Sequence, residues 1–255
     1  MSKTKIPWTE RTWNPVTGCT KISEGCRNCY AETMAQRLQG MKQKRYANGF
    51  TLTLHPEALN EPRKVKEPSM FFVCSMGDLF HKDVPFEFVD KVMEVIEATP
   101  QHTYQLLTKR ANHMHQYFML KGYVPKNVWL GTTVECIRAN ERVWYILDLK
   151  HTLNAPVTFL SCEPLLEDLG RLNLGGGGID WVIVGGESGP KARPMKKEWV
   201  VDIQMQCADQ DVPFFFKQWG TWGSDGVKRN KEENGCLLDG KVCQEWPKAW
   251  KGVTR

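Results

Sequence analysis

Short apolar runs, separated by amphipathic stretches of helical length, recur along the chain and limit its fold more than any other feature. They are rich in Val, Phe, Leu and Trp and are bounded by turn residues, which is typical of strands buried on both faces of a parallel sheet. The clearest runs lie at residues 70–74, 103–107, 127–131, 156–160, 180–184 and 213–216. Weaker strand candidates lie at residues 12–16 and 50–56.

The stretches between these runs have the spacing and the punctuation of helices. In the segment 86–100, Phe88, Val92 and Ile96 fall on one helical face, and Pro85 precedes the first turn. Strands that alternate with helices of this length predict βα units and a parallel sheet. The predicted helices cover residues 29–40, 86–100, 112–120, 136–150 and 197–210.

The number of strand candidates predicts an α/β protein with a parallel (β/α) barrel, partial or complete, of six to eight βα units. A doubly wound open sheet is the alternative, but it prefers a glycine-rich first βα turn, and here that turn carries cysteines. We expect the barrel to occupy residues 1–221. Residues 222–255 are polar and glycine-rich, and they predict a small C-terminal extension with a hairpin turn at Asp239-Gly240.

Polar or charged side chains directly follow most of the predicted strands. The carboxyl ends of parallel strands meet at one face, where barrel enzymes keep their active sites, so we expect these side chains to converge. A single Ser, Thr or Asp at such a position often only caps the next helix, but the whole set predicts an enzyme. The set comprises Glu57, Ser75, Asp78, Thr108, Lys109, Arg110, Thr132, Thr133, Glu135, Ser161, Glu163, Glu187, Ser188, Lys217 and Gln218.

The composition is that of an ordinary soluble globular protein, with 41% hydrophobic and 25% charged residues. We find no apolar run near the length of a bilayer span and no signal peptide, so we predict a cytoplasmic protein without a membrane partner. A net charge of +5 permits an anionic partner such as nucleic acid but does not demand one.

Three of the nine cysteines, Cys19, Cys26 and Cys29, lie within eleven positions after the first strand candidate. In a reducing compartment, clustered cysteines favour metal binding over disulfides, and thiolates select zinc, Cu(I) or iron–sulfur clusters. Zinc requires a fourth protein ligand or an open catalytic position. Three cysteines on a [4Fe–4S] cluster instead leave one iron free to bind a small molecule. The candidates for a fourth zinc ligand are Cys74, Cys162 and His55.

Seven separated blocks, among them WNPVTGCTKISEGCRNCYAE, SMGDLFHKDVP and IDWVIVGGESGPKARPM, resemble a bacterial and phage family of three-cysteine-motif proteins of unassigned function. The blocks follow one another in order between residues 7 and 220, which is far more specific than one motif. That family is related to radical S-adenosylmethionine enzymes. In those enzymes the usual cysteine spacing is C-x3-C-x2-C, whereas here the first gap is six residues and Asn28 replaces the usual aromatic residue before the third cysteine.

The resemblance implies a radical S-adenosylmethionine type of barrel and a [4Fe–4S] cluster held by Cys19, Cys26 and Cys29. S-adenosylmethionine would chelate the open iron, and its reductive cleavage would give a 5′-deoxyadenosyl radical that takes a hydrogen atom from the substrate. The triplet Gly185, Gly186 and Glu187 is similar to one that holds the methionine amino group in many radical enzymes, although it follows a late strand here. The residues that we expect to bind the cofactor are Glu187, Gly185, Gly186, Ser75, Asp78, Ser161, Glu163 and Lys109.

Three functions therefore compete at this point. The first is a radical S-adenosylmethionine enzyme, whose partners are S-adenosylmethionine, an electron donor and an unknown substrate such as a nucleotide or nucleic acid. The second is a zinc-binding barrel hydrolase, and the third is a non-catalytic nucleic-acid-binding accessory protein. The sequence leaves the substrate, the catalytic residue and the oligomeric state open.

Overall fold

The computed structural model describes residues 3–250. Residues 1–2 and 251–255, at the outer ends of the predicted barrel and extension, lie outside the described residues. The strands are β1 (Arg11–Trp13), β2 (Val16–Thr17), β3 (Thr53–Leu54), β4 (Met70–Val73), β5 (Thr103–Thr108), β6 (Val128–Thr133), β7 (Val157–Cys162), β8 (Trp181–Gly185), β9 (Phe214–Gln218), β10 (Leu237–Leu238) and β11 (Lys241–Val242). The helices are α1 (Tyr30–Gly40), α2 (Phe86–Glu97), α3 (Ala111–Lys121), α4 (Glu141–Leu153), α5 (Lys197–Asp209) and α6 (Lys231–Asn234).

Seven strands form one parallel sheet in the order β1-β4-β5-β6-β7-β8-β9. The strand order follows the chain and never reverses, which excludes a doubly wound sheet. Strands β1 and β9 are not paired with each other, so the sheet is a curled partial barrel rather than a closed one. The predicted α/β class and parallel barrel are therefore confirmed, with seven strands and an open side.

The two weak strand candidates have different outcomes. In the segment 12–16 the chain enters the sheet as β1, where Trp13 lies opposite Val73 of β4. In the segment 50–56 the prediction of a barrel strand is wrong, because only β3 forms there and it pairs antiparallel with β2 outside the sheet. Both residues of β3 are only half-buried, as expected for a short ribbon beside the barrel rather than a strand within it.

Alternate residues of each barrel strand face two different cores. Leu160, Val182 and Phe216 point outward and pack with buried side chains of the helices. Helix α2 shows how this layer is built, because Phe88, Val92 and the other residues on its predicted apolar face are all buried. The strands therefore carry apolar residues on both faces, which explains their continuously apolar sequences.

Aromatic side chains fill the other core, on the inner face at the amino-terminal end of the barrel. Trp129, Phe159, Trp181 and Phe215 belong to this floor. On β6, Gly131 leaves the room that the Phe159 ring needs, because a Cβ atom there would collide with the ring. The floor makes the barrel a cup, closed below and open at the carboxyl ends of its strands.

The predicted C-terminal extension begins at the open end of the barrel, where Lys231 lines the mouth, and its last residues pack against this floor. Its hairpin β10–β11 turns at Asp239-Gly240, as expected. Farther on, Trp246 stacks on Trp181 with ring centroids 5.0 Å apart, and Trp250 stacks on Trp246 at 4.7 Å. No helix within residues 3–250 combines the length and the apolar character that a bilayer crossing requires.

Candidate functional site

A cavity of about 820 Å³ opens at the carboxyl ends of the parallel strands. It collects the three clustered cysteines and all but one of the residues that we expected to bind the cofactor. The exception, Gly185, lies directly behind the Glu163 carboxylate. A Cβ atom added to Gly185 would lie 3.3 Å from the Glu163 Cδ. The predicted residues that line the cavity are Cys19, Cys26, Cys29, Ser75, Asp78, Lys109, Ser161, Glu163, Gly186 and Glu187.

The three cysteines lie on the loop that leads from β2 into α1. Cys26 ends a single 3₁₀ turn, and Cys29 immediately precedes the helix. Gly18 opens the loop with φ of +78°, where a side chain would collide with the Thr51 carbonyl group. Within the described range, no three Cys, His, Asp or Glu side chains lie close enough together to hold one metal ion. The loop nevertheless presents three thiols to the cavity, which is the set that a [4Fe–4S] cluster with one open iron takes.

The candidates for a fourth zinc ligand do not join these cysteines as a group. Cys74 lines the cavity and has a left-handed backbone with φ of +60°. Cys162 faces the helices in the outer core. His55 is engaged by Thr17 at 2.8 Å and by Glu57 at 3.2 Å.

The first half of the cysteine loop is held by a buried ion pair, Asp78–Arg110, which we call the first clamp. The Arg110 Nη1 donates to Asp78 Oδ2 at 2.9 Å and to Cys19 Sγ at 3.2 Å. Its Nη2 donates to both oxygens of Thr20, each at 2.9 Å. The Thr108 hydroxyl donates to the Asp78 carboxylate from the same strand end, so β5 supplies both the arginine and its support.

The second half of the loop is held by another ion pair, Glu187–Arg193, which we call the second clamp. Arg193 donates to the two Glu187 oxygens through Nη2 at 2.6 Å and Nε at 3.0 Å. The Asn28 amide donates to Glu187 at 3.0 Å and to the Lys191 carbonyl at 2.8 Å. The residue before Cys29 is thereby tied to the loop that follows β8.

Through these contacts, Asp78 and Glu187 support the two halves of the cysteine loop. The sequence suggested that each carboxylate would meet the cofactor, but both oxygens of each already accept hydrogen bonds from the chain. Spacing alone could not reveal Asn28 and Arg193 as partners, because Asn28 lies 159 positions from Glu187. A glycine is required at position 186 for a steric reason, because a Cβ atom there would collide with the Trp219 carbonyl oxygen.

Electrostatics differ between the first two cysteines. Burial and the nearby Asp78 carboxylate raise the pKa of the Cys19 thiol, which the Arg110 contact opposes only in part. Burial also raises the pKa of Cys26, but the Lys109 charge and hydrogen bonds from Ile22 and Ser23 outweigh it and leave the pKa below its ordinary value. Lys109, which the sequence analysis expects to bind the cofactor, thus lies where its charge favours the Cys26 thiolate.

Behind the loop, the fully buried Glu135 supports Gly25. A Cβ atom on Gly25 would lie 2.8 Å from the Glu135 Cγ, so a glycine is required for this approach. The Glu135 Oε2 accepts from Arg142 at 2.8 Å, whereas Oε1 has no hydrogen bond among residues 3–250. Burial raises the pKa of this carboxyl, but the charges of Lys109 and Arg142 lower it more.

The inner wall of the cavity carries a third ion pair, away from the cysteine loop. The Lys217 Nζ donates to Glu163 Oε1 at 2.6 Å, and both side chains are mostly buried. Gly185 lies on the strand between them and leaves the space that the Glu163 carboxylate occupies. Ser75, by contrast, lies near β1 and donates to Asn14 at 3.2 Å.

Fold and site together define a partial parallel (β/α) barrel with three thiols on the loop at its mouth. The chain belongs to the family described as "Protein of unknown function (DUF5131)", whose model matches residues 3–247. A comparison with curated proteins finds no match.

Among solved structures, the chain is similar in fold to spore photoproduct lyase. A cysteine-to-serine mutant of that enzyme aligns with a TM-score of 0.52 and 14% identity, and a tyrosine-to-phenylalanine mutant with 0.51 and 13%. Each alignment covers 91% of this chain and 72% of the lyase chain. A double mutant with bound AdoMet and dinucleoside spore photoproduct aligns at 0.47 and 11% identity, over 72% of this chain. This chain spans only 57% of that lyase chain and 62% of another.

Proposed function

We propose that the protein is a radical S-adenosylmethionine enzyme. The observation that carries this proposal is the convergence of Cys19, Cys26 and Cys29 on one cavity at the carboxyl ends of a partial parallel barrel. The fold shared with spore photoproduct lyase, a radical S-adenosylmethionine enzyme, agrees with it.

In this proposal the three thiolates hold a [4Fe–4S] cluster. When bound, the cluster supplies the electron that cleaves S-adenosylmethionine to methionine and a 5′-deoxyadenosyl radical, which takes a hydrogen atom from the substrate. The protein's own part is to fix the thiols, orient the cofactor and keep water from the radical. The two clamps serve the first task, and the aromatic floor serves the last.

S-adenosylmethionine would lie beside the cysteine loop, along the cavity wall. Of the residues that the sequence suggested, those lining this wall are Ser75, with its hydroxyl, Lys109, with its ammonium, and Gly186, with its backbone. Gly185 would contribute only from behind, by leaving room for Glu163. Asp78 and Glu187 would act from behind, by holding the loop. Ser161 lies lower on β7, between the cofactor position and the floor.

The substrate would enter the cup between the cysteine loop and the floor, where Glu163 and Lys217 face it. We propose a nucleobase, free or within a nucleic acid, because the cavity joins aromatic side chains such as Trp8 and Phe72 to basic ones. Each acidic residue lining the cavity already has a basic partner, whereas Lys3, Lys5 and Lys109 form no ion pair among the described residues. An electron donor is a required partner.

Anaerobic purification tests the proposal directly. We expect a brown protein with about four iron and four sulfide per chain, and deoxyadenosine after reduction with S-adenosylmethionine. Cys26→Ala should lose the colour, whereas Cys236→Ala, which changes a cysteine outside the cavity, should keep it. One zinc per chain without sulfide would sink the proposal and favour the hydrolase.

A further inference from the structure

We propose that Arg110 is the residue that positions Cys19 as a cluster ligand and makes the cluster easier to reduce. The inference rests on the proposed function, because it concerns how the chain holds that group. It assigns to the first clamp a role that neither the cysteine spacing nor the fold supplies.

The contacts of Arg110 are those of a fixed donor rather than a mobile surface charge. Its side chain is 7% exposed, and the Asp78 side chain equally so. The guanidinium reaches Cys19 Sγ, Asp78 and both oxygens of Thr20, while its backbone N–H donates to Thr108 at 2.9 Å. The planar fork of arginine suits this simultaneous contact, which the single ammonium of lysine cannot reproduce.

The spacing of the cysteines explains why Cys19 needs an outside anchor. Cys26 and Cys29 are separated by two residues and flanked by a 3₁₀ turn and α1, so local structure places both sulfurs. Cys19 precedes Cys26 by seven positions and lies in no helix or strand. Fixing such a segment costs conformational entropy, which contacts from elsewhere in the fold must offset. The Cys19 N–H donates to the Phe50 carbonyl and the Thr20 hydroxyl contacts His81, but it is Arg110, 91 positions away, that reaches the Cys19 thiol itself.

The same hydrogen bond has an electronic consequence. Hydrogen bonds and positive charge at the sulfur ligands stabilise the added electron of a reduced cluster, and so raise its reduction potential. The Arg193 side chain belongs to a similar clamp but contacts Glu187, Glu24 and no thiol among residues 3–250. It is therefore a matched control of the same residue type.

The test compares Arg110→Met, Arg110→Lys and Arg193→Met in the full-length protein, reconstituted with iron and sulfide without oxygen. We would measure bound sulfide, the rate of cluster loss to a chelator, and the midpoint potential by an EPR-monitored titration. Arg110→Met should lose its cluster at least tenfold faster than wild type. Its one-electron reduction should be about tenfold less favourable, a shift of ~59 mV to lower potential.

Arg110→Lys should keep the charge but lose the fork, with faster cluster loss and a smaller shift in potential. Arg193→Met loosens the other half of the loop but removes no donor to a thiol, so its shift in potential should be smaller than that of Arg110→Met. An Arg110→Met protein with wild-type potential and cluster lifetime would overturn the inference alone. If that variant does not fold by circular dichroism, Arg110→Lys decides, and a wild-type lifetime there overturns it. A wild-type protein that takes up no sulfide would overturn the proposed function and the inference together.

Discussion

The two halves of the cysteine loop are held by the same chemistry in different surroundings. In the first clamp both side chains are buried, with 7% exposure each, and the arginine contacts a thiol. In the second clamp the carboxylate is equally buried, with 5% exposure for Glu187, but Arg193 is 24% exposed, and the contact with the loop runs through the Asn28 side chain beside Cys29. One clamp is part of the core, whereas the other lies at the rim of the cavity.

Because of this difference, we expect the first clamp to stabilise the fold and the second clamp to position the loop. A buried charge that loses its partner cannot regain solvation, so the first clamp is bound to the stability of the whole barrel. In the second clamp, a change of Glu187 leaves behind the Arg193 charge, which is partly exposed to water and close to Glu24, so this clamp chiefly restrains the loop. Three variants and one change of pH test this difference, with expected effects that decrease in turn.

Asp78→Ala should have the largest effect, because it leaves Arg110 buried without its counter-charge. We expect the free energy of unfolding to fall by about 3–5 kcal/mol. Urea denaturation followed by circular dichroism measures this. Asp225→Ala removes an exposed carboxylate from another arginine pair and serves as the control, with little change expected. A loss for Asp78→Ala no greater than the control's would show that the first clamp is not part of the core.

Glu187→Gln should have a smaller effect on unfolding, about 1–3 kcal/mol, because it keeps the shape but loses charge-assisted hydrogen bonds. Its main consequence should be faster amide hydrogen exchange near Asn28 and Cys29, with exchange near Thr20 unchanged. Mass spectrometry of peptic fragments resolves the two regions. Equal acceleration in both halves would contradict the independence of the clamps.

Acid should weaken the second clamp. Burial raises the pKa of Glu187, but the hydrogen bonds from Arg193 and Asn28 lower it by more. The pKa therefore lies below its ordinary value of 4.5. A carboxyl whose pKa is depressed by folding stabilises the fold above its unfolded pKa, and that contribution is lost as the pH falls through the folded pKa. Between about pH 6 and pH 3, wild type should therefore lose more stability than Glu187→Gln. Parallel curves would exclude this contribution.

The double variant Glu163→Gln with Lys217→Met should have the smallest effect on stability, within about 1 kcal/mol, because both charges of a mostly buried pair leave together. Cluster content should stay at the wild-type level, since this pair does not contact the cysteine loop. Sulfide analysis and thermal denaturation check both points. A loss of cluster would show that the third ion pair also supports the loop.

Much of the fold was predictable because burial leaves a local trace in the sequence. Residues 181–184 of β8 are apolar and buried on both faces of the sheet, and α2 shows its buried stripe at helical spacing. The error at residues 50–56 has a physical reason. A short apolar segment has similar residues whether it pairs inside a barrel or in a small ribbon beside it, and its burial depends on distant partners.

The βα alternation, the polar strand ends and the grouping of three thiols in one loop can all be read from the sequence alone. These depend on residue periodicity and short spacing, which are properties of neighbours along the chain. Only the tertiary structure decided which charges pair, and so turned Asp78 and Glu187 into supports for the cysteine loop. Ion pairs join residues that the curvature of the sheet brings together, and Glu187 lies 159 positions from the asparagine it holds. A pattern of neighbouring residues cannot indicate a contact between positions so far apart in the sequence.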